Sequence, residues 1–260
     1  MTVKDKILQG RTYLGIELGS TRIKAVLIDN SFSVIASGSK QWENRFENGC
    51  WTYSLDDIHG GIQACYKDLA ENVKAQYGIY PETYGAMGIS AMMHGYMAFD
   101  KNDKLLVPFR TWRNTMTAQA AGELTELLGF NIPQRWSIAH LYQAVLNKES
   151  HVPYIAYINT LAGYVHKRLT DRFEVGVGEA SGIFPVEGIG YKKEYLELTE
   201  KSLAEKGFDH KLKDILPAVR NAGEKGAVLT EEGARFLDPE GRLKAGVPVC
   251  PPEGDAGTGM

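Results

Sequence analysis

The chain has little cysteine: three residues in 260, Cys50, Cys65 and Cys250. Their spacing suits neither a metal site nor a disulfide frame, so they read as reduced thiols of a cytosolic protein. Long apolar runs are missing too, and nothing approaches the ~20 residues needed to cross a bilayer. The opening MTVKDKILQG carries charges and no apolar stretch of the kind a secretory signal requires. A cytoplasmic address with no membrane partner is therefore expected. An excess of one charge is also absent. A net charge of −3, with 23% of residues charged, offers no basic face to nucleic acid. Two glycine signatures are missing as well: there is no G-x-x-x-x-G-K-[ST] loop and no G-x-G-x-x-G leading into a helix. That disfavours a dinucleotide or nucleotide-sugar enzyme. Internal repeats, low-complexity segments and long linkers do not occur.

What is present is a globular composition, 43% hydrophobic, long enough for one large domain or two small ones. YLGIELG (13–19) and RIKAVLID (22–29) are apolar runs around a short polar turn, a β-hairpin signal. SVIASGSKQW (33–42) predicts a third antiparallel strand. Ser54 followed by Asp57 has the form of a helix capping box. Leu55, Ile58, Ile62, Cys65, Leu69, Val73 and Tyr77 then recur every three or four residues as one helical stripe. Residues 84–93 and 95–100 predict two more strands. Further on, 115–129, 138–149, 160–170, 192–206 and 230–237 have helical spacing, 172–187 reads as extended, and 246–250 as a last strand. The pattern is mixed α/β, with a crossover helix leading into a parallel strand.

Four short stretches carry candidate chemistry. In GIELGSTRIKAVLID (15–29), the tight turn Gly19-Ser20-Thr21 offers N–H groups and hydroxyls to phosphate oxygens, and Glu17 beside it is a hard oxygen ligand suited to Mg²⁺. An ordinary hairpin with Glu17 facing solvent is the other reading. In SAMMHGYM (90–97), Gly95 permits close approach and His94 could bond a polar substrate, or could be a core or turn histidine. In GDAGTGM (254–260), Asp255 follows a strand end, where a carboxylate could serve as general base or simply shape a turn. In TWRN (111–114), Trp112 could belong to the core and Arg113 and Asn114 to the surface.

Taken together and in this order, the four stretches resemble the N-terminal half of the FGGY-family carbohydrate kinases, from about residue 12 to the end and with a xylulokinase-like flavour. GIELGSTRIKAVLID is similar to the family's first phosphate hairpin, GISAMMHGYMAFD to its Met-His-Gly segment, and TWRN falls where the family has Trp-Asn-Asp. VPVCPPEGDAGTG is similar to the Gly-Gly-Asp turn that opens the second domain. The resemblance implies a ribonuclease-H-like α/β fold of the actin, hexokinase and Hsp70 ATPase superfamily, with a mixed five-stranded sheet and helices on both faces. It also implies an ATP-dependent phosphorylation of a hydroxyl on a ketopentose-like sugar such as xylulose. Asp255 would then be the general base. Met93, His94, Gly95, Trp112 and Asn114 would contact the sugar. Gly19, Ser20, Thr21 and Lys24 would face the ATP phosphates, and Glu17 would help hold Mg²⁺. Glu17 stands where the family has Asp, Arg113 where it has Asn, and Asn114 where it has an acid. Those departures keep open an inactive sugar-sensing or structural module. The expected organisation is an extension over 1–11, a sugar-binding domain over 12–253, and over 254–260 the start of a connection to an ATP-binding domain beyond this chain, with a homodimer as a possible assembly.

Overall fold

Alternating burial builds the opening hairpin. In a computed structural model that describes residues 1–224 and 226–258, β1 (Thr12–Leu18) pairs antiparallel with β2 (Arg22–Asp29), which pairs antiparallel with β3 (Val34–Gln41). Along β1, Thr12, Leu14, Ile16 and Leu18 are buried while Tyr13 and Gly15 are exposed. One face of the sheet is therefore apolar and needs a cover. The short α1 (Val3–Leu8) places Ile7 in that core and ties Lys6 Nζ to Asp29 Oδ2 at 2.7 Å, so the segment set apart as an extension is packed onto the sheet.

A second hairpin, β4 (Arg45–Glu47) and β5 (Cys50–Thr52), turns through Asn48 and Gly49 at φ of 50° and 79°. Asn-Gly is a strong hairpin dipeptide because both positions tolerate the left-handed region, and the strand reading passed over it. α2 (Leu55–Tyr77) follows and starts as the capping box requires. The Asp57 N–H donates to Ser54 Oγ at 3.0 Å and the Ser54 N–H to Asp57 Oδ2 at 3.2 Å. Its stripe of Ile58, Ile62, Cys65, Leu69 and Val73 is fully buried against the apolar face.

α2 is a crossover, so β6 (Ala86–Ala91) returns parallel to β1. β7 (Met97–Phe99) leaves this sheet and pairs with β8 (Tyr157–Asn159), beyond α3 (Ala118–Leu128) and α4 (Ser137–Leu146). α5 (Leu161–Thr170) then packs back toward β6. The stretch 172–187 departs from the extended reading: after β9 (Glu174–Gly176) the chain makes a single helical turn, α6 (Val177–Ala180). Four residues are too few for a helical period to register in sequence. α7 (Lys193–Glu205) and α8 (Leu212–Ile215) complete a second apolar core with α3 and α4. β10 (Ala218–Arg220) pairs with β9, and β11 (Ala227–Val228), α9 (Glu231–Leu237), β12 (Pro248–Val249), β13 (Glu253–Gly254) and α10 (Asp255–Thr258) finish the described chain. The last two residues of the 254–260 stretch lie outside the described residues.

The principal sheet runs β11-β12-β6-β1-β2-β3, with β13 also on β6, making seven strands among the described residues where five were expected. The surplus is β11 and β13, two residues each and below the length at which alternation is legible. α2, α5 and α9 share the apolar core on one side of the sheet, while Gly15, Glu17, Lys24, Gly88 and Ser90 line a partly open hollow that the one-turn α10 reaches. No helix among the described residues is long and apolar enough to cross a membrane.

One consequence of this topology fixes the site. β1, β6 and β13 run in the same direction, with Leu18 opposite Ala91 and Ala91 opposite Gly254. Their carboxyl ends therefore open at one edge of the sheet, the place where open α/β sheets present ligand sites.

Candidate active site

Three segments leave the sheet at that edge: the turn 19–21 after β1, the loop 92–95 after β6, and Asp255 after β13. The turn is held by its carbonyls. Trp42 Nε1 donates to Gly19 O at 2.7 Å, the Tyr53 hydroxyl to Ser20 O at 2.6 Å, and the Trp42 N–H to Thr21 O at 3.3 Å. With those acceptors taken and the Gly19 N–H donating to Arg22 O at 3.1 Å, the turn has the Ser20 and Thr21 hydroxyls and the N–H groups of those two residues left to offer. That chemistry suits an anion.

The loop after β6 is strained. His94 sits at φ 68° and Gly95 at φ 95°. A methyl on Gly95 would lie 2.7 Å from Arg110 O, so glycine is required both for the turn and for the close approach. Gly95 acts through its backbone: its N–H donates to Arg135 O at 3.2 Å and its carbonyl accepts from Ser137 Oγ at 2.6 Å. His94 Nδ1 lies 3.4 Å from Gly182 O. A carbonyl can only accept, so Nδ1 carries the proton and Nε2 is left as the ring's acceptor. Burial pushes the His94 pKa below the usual histidine value, against the opposing pull of Gly182, so the ring is neutral at neutral pH. His94→Asn should keep a Tm close to that of the parent, because Asn tolerates the left-handed region. His94→Val should lose about 1–2 kcal/mol more by thermal unfolding. Equal melting temperatures for the two variants would contradict the strain.

Asp255 Oδ1 accepts the Met93 N–H at 3.2 Å, which ties β13 to the loop after β6. Ser20, Met93, His94, Trp112 and Asp255 then line one cavity of about 210 Å³. That volume lies below the ~300–1,000 Å³ typical of drug-sized ligands and suits a small polar molecule. Trp112 is 40% exposed and also lines a neighbouring hollow with Thr21. Asn114 is not on the wall. It is 3% exposed, its Oδ1 accepts the Trp51 N–H at 2.9 Å, and its Nδ2 donates to Trp51 O at 2.8 Å and Thr111 O at 3.0 Å. Its side chain staples the 111–114 loop to β5 and has no group left for a ligand. Arg113 lies over the Trp51 ring, 3.8 Å from its centre.

Glu17 and Lys24 stand elsewhere, in a hollow of about 520 Å³ on the open sheet face with Gly15, Gly88, Ser90 and Thr258. They are 3.9 Å apart and each is about half exposed. The Glu17 carboxylate reaches toward the turn, since a methyl on Gly19 would lie 3.2 Å from Glu17 Oε1. No group of three His, Cys, Asp or Glu among the described residues is disposed to hold a metal ion. A magnesium ion fits here only as it commonly binds beside phosphates, through one carboxylate and water.

Three functional candidates escaped the sequence reading. Arg135 lines the small cavity from the end of the loop before α4, and no motif surrounds it. Glu179 and Glu253 lie against the Asp255 turn, and Glu179 falls in the segment that was read as extended.

A mixed sheet that brings a polar turn, a strained loop and a carboxylate to the ends of three parallel strands is an α/β fold shared with sugar kinases of known structure. Solved structures agree on that fold. A xyloylose kinase from Brucella ovis superposes with a TM-score of 0.74 at 22% identity, over 94% of this chain and 49% of the other. A Plasmodium falciparum glycerol kinase with ADP superposes with a TM-score of 0.71 at 14% identity, over 94% and 48%. In sequence, a xylulose kinase from Haemophilus influenzae is 24% identical over 239 residues, 86% of this chain and 47% of its own length. Residues 12–259 match the N-terminal domain of the FGGY family of carbohydrate kinases, and the chain belongs to that family. It spans about half the length of that xylulose kinase.

Proposed function

We propose that this chain is the acceptor-binding half of an ATP-dependent sugar kinase acting on a ketopentose-like sugar such as xylulose. The observation that carries the reading is convergence: Ser20, Met93, His94, Trp112 and Asp255, from four separate stretches of chain, line one sugar-sized cavity at the carboxyl ends of parallel strands. Phosphoryl transfer asks for in-line positioning, neutralised phosphate charge and a base at the incoming hydroxyl. In this reading His94 Nε2 accepts a sugar hydroxyl, Trp112 packs on the carbon skeleton, and Asp255 takes the proton of the attacking hydroxyl. The donors of the 19–21 turn and Lys24 face the phosphates of ATP. Glu17 would hold a Mg²⁺ ion there, which would supply charge neutralisation. In this reading the adenosine site belongs to a separate ATP-binding half.

The test is a calorimetric panel of ketopentoses, aldopentoses and polyols against the chain, followed by an ADP-release assay with the chain joined to an ATP-binding half. The reading expects one ketopentose to bind best, and the same sugar to drive ADP release only in the joined protein. Sugar binding without ADP release would instead favour a sensing module, and no binding to any sugar would overturn the reading.

A further inference from the structure

Three carboxyl groups converge beneath the turn that carries Asp255. Glu253 is half buried and accepts the Glu179 N–H at 2.8 Å and that of Gly178, so its charge has donors, although burial pushes its pKa up. Asp255 accepts the Met93 N–H. Glu179 has the least. It is fully buried, and although the Thr160 hydroxyl favours its anion, neither carboxyl oxygen completes a hydrogen bond of ordinary geometry. It sits hard against the turn: a methyl on Gly254 would lie 2.6 Å from Glu179 Oε2 and would run into the Met93 side chain. The hydroxyl of the partly buried Tyr191 is also buried without a partner, and burial, with Glu179 adding to it, keeps its proton on. His94 and Arg135 line the small cavity together with Asp255. The cluster is not disposed to hold a metal ion among the described residues.

We propose that Glu179 is a positioning residue whose buried carboxyl group packs against the Gly254–Asp255 turn and so fixes the aim of Asp255. Burial first, and then the charges of Glu253 and Asp255, push its pKa up to about 8. As a neutral group it packs on the turn and adds no charge. Ionised, it becomes a third anion in a dry site, and the half-exposed Asp255 is the member free to move away from the Met93 N–H. The site therefore has an alkaline limit set by a residue that touches no substrate. The sign for stability follows. A carboxyl whose folded pKa lies above its unfolded value contributes stability that is full below the unfolded value and lost as pH rises through the folded one. The parent should thus lose Tm relative to Glu179→Gln between about pH 4.5 and about pH 8.

The bearing on catalysis rests on Asp255 as base, but the positioning itself does not. It is tested without sugar or ATP, so its failure and that of the kinase reading are separable. In the ¹³C,¹⁵N-labelled chain, the Glu179 carboxyl is assigned through bonds and followed from about pH 5 to about pH 9. We expect a midpoint more than about two pH units above that of exposed glutamates, with the Met93 amide moving at the same midpoint. In Glu179→Gln the Met93 amide should stay still over that range. A Glu179 midpoint in the ordinary carboxylate range would overturn the proposal, as would a Met93 shift that persists in Glu179→Gln. If the variant does not fold, the titration of the parent decides alone.

Discussion

Replacing Asp255 with Asn should lower sugar-dependent ADP release by about 10²–10⁴-fold, the usual contribution of a positioned general base. The sugar should still bind, with affinity changed by less than about tenfold. Asn is nearly isosteric, and its Oδ1 can still accept the Met93 N–H that Asp255 accepts at 3.2 Å, so the turn survives. Ser20, Met93, His94 and Trp112 keep their places on the cavity wall. The loss should therefore fall on kcat rather than on binding. Steady-state kinetics of the chain joined to an ATP-binding half, with calorimetry of the sugar alone, separate the two. Activity that persists in the variant would move the base elsewhere. Equal loss of binding and turnover would mark Asp255 as a purely structural residue.

The largest expected effect on stability lies far from the site. Gly38 in β3 is the point where α2 crosses the sheet, and a methyl there would run into the backbone of Cys65 and Leu69. The helix is drawn that close by specific bonds: Asp68 Oδ2 accepts the Ser39 N–H at 2.8 Å, and Asn72 Nδ2 donates to Ser37 O at 2.8 Å. A rigid backbone cannot yield as a flexible side chain would, so Gly38→Ala must lift α2 and loosen the core beneath it. Overpacking of this kind costs about 3 kcal/mol. For a chain of this size that lowers Tm by about 6–12 °C. Calorimetry of the variant checks it, and a Tm within about 2 °C of the parent would show that α2 does not press on β3 as described.

The sheet and the helix that covers it were legible because both depend on periodicity. Alternation in 13–29 gives β1 and β2, and the stripe from Leu55 to Tyr77 gives α2 with its capping box. Elements of two to four residues, such as β11, β13 and α6, carry no period, and contacts far along the chain decide them. The site divides in the same way. Met93, His94 and Asp255 stand out because each interrupts or ends an apolar run, and parallel pairing brings those ends together. Asn114 is expected as a sugar contact only because TWRN falls where the resembling family has Trp-Asn-Asp, whereas the carbonyl and amide of Trp51 claim its side chain. Glu179 was invisible, since its role comes only from being buried beside two other carboxylates.

The central claim is that a sugar binds where β1, β6 and β13 end. Titrating D-xylulose into the ¹⁵N-labelled chain tests it most directly. The largest amide shifts should fall on Ser20, Met93, His94, Trp112 and Asp255, with the Trp112 indole among them. Shifts gathered instead on the hollow of about 500 Å³ between Thr170 and Thr230 would contradict it.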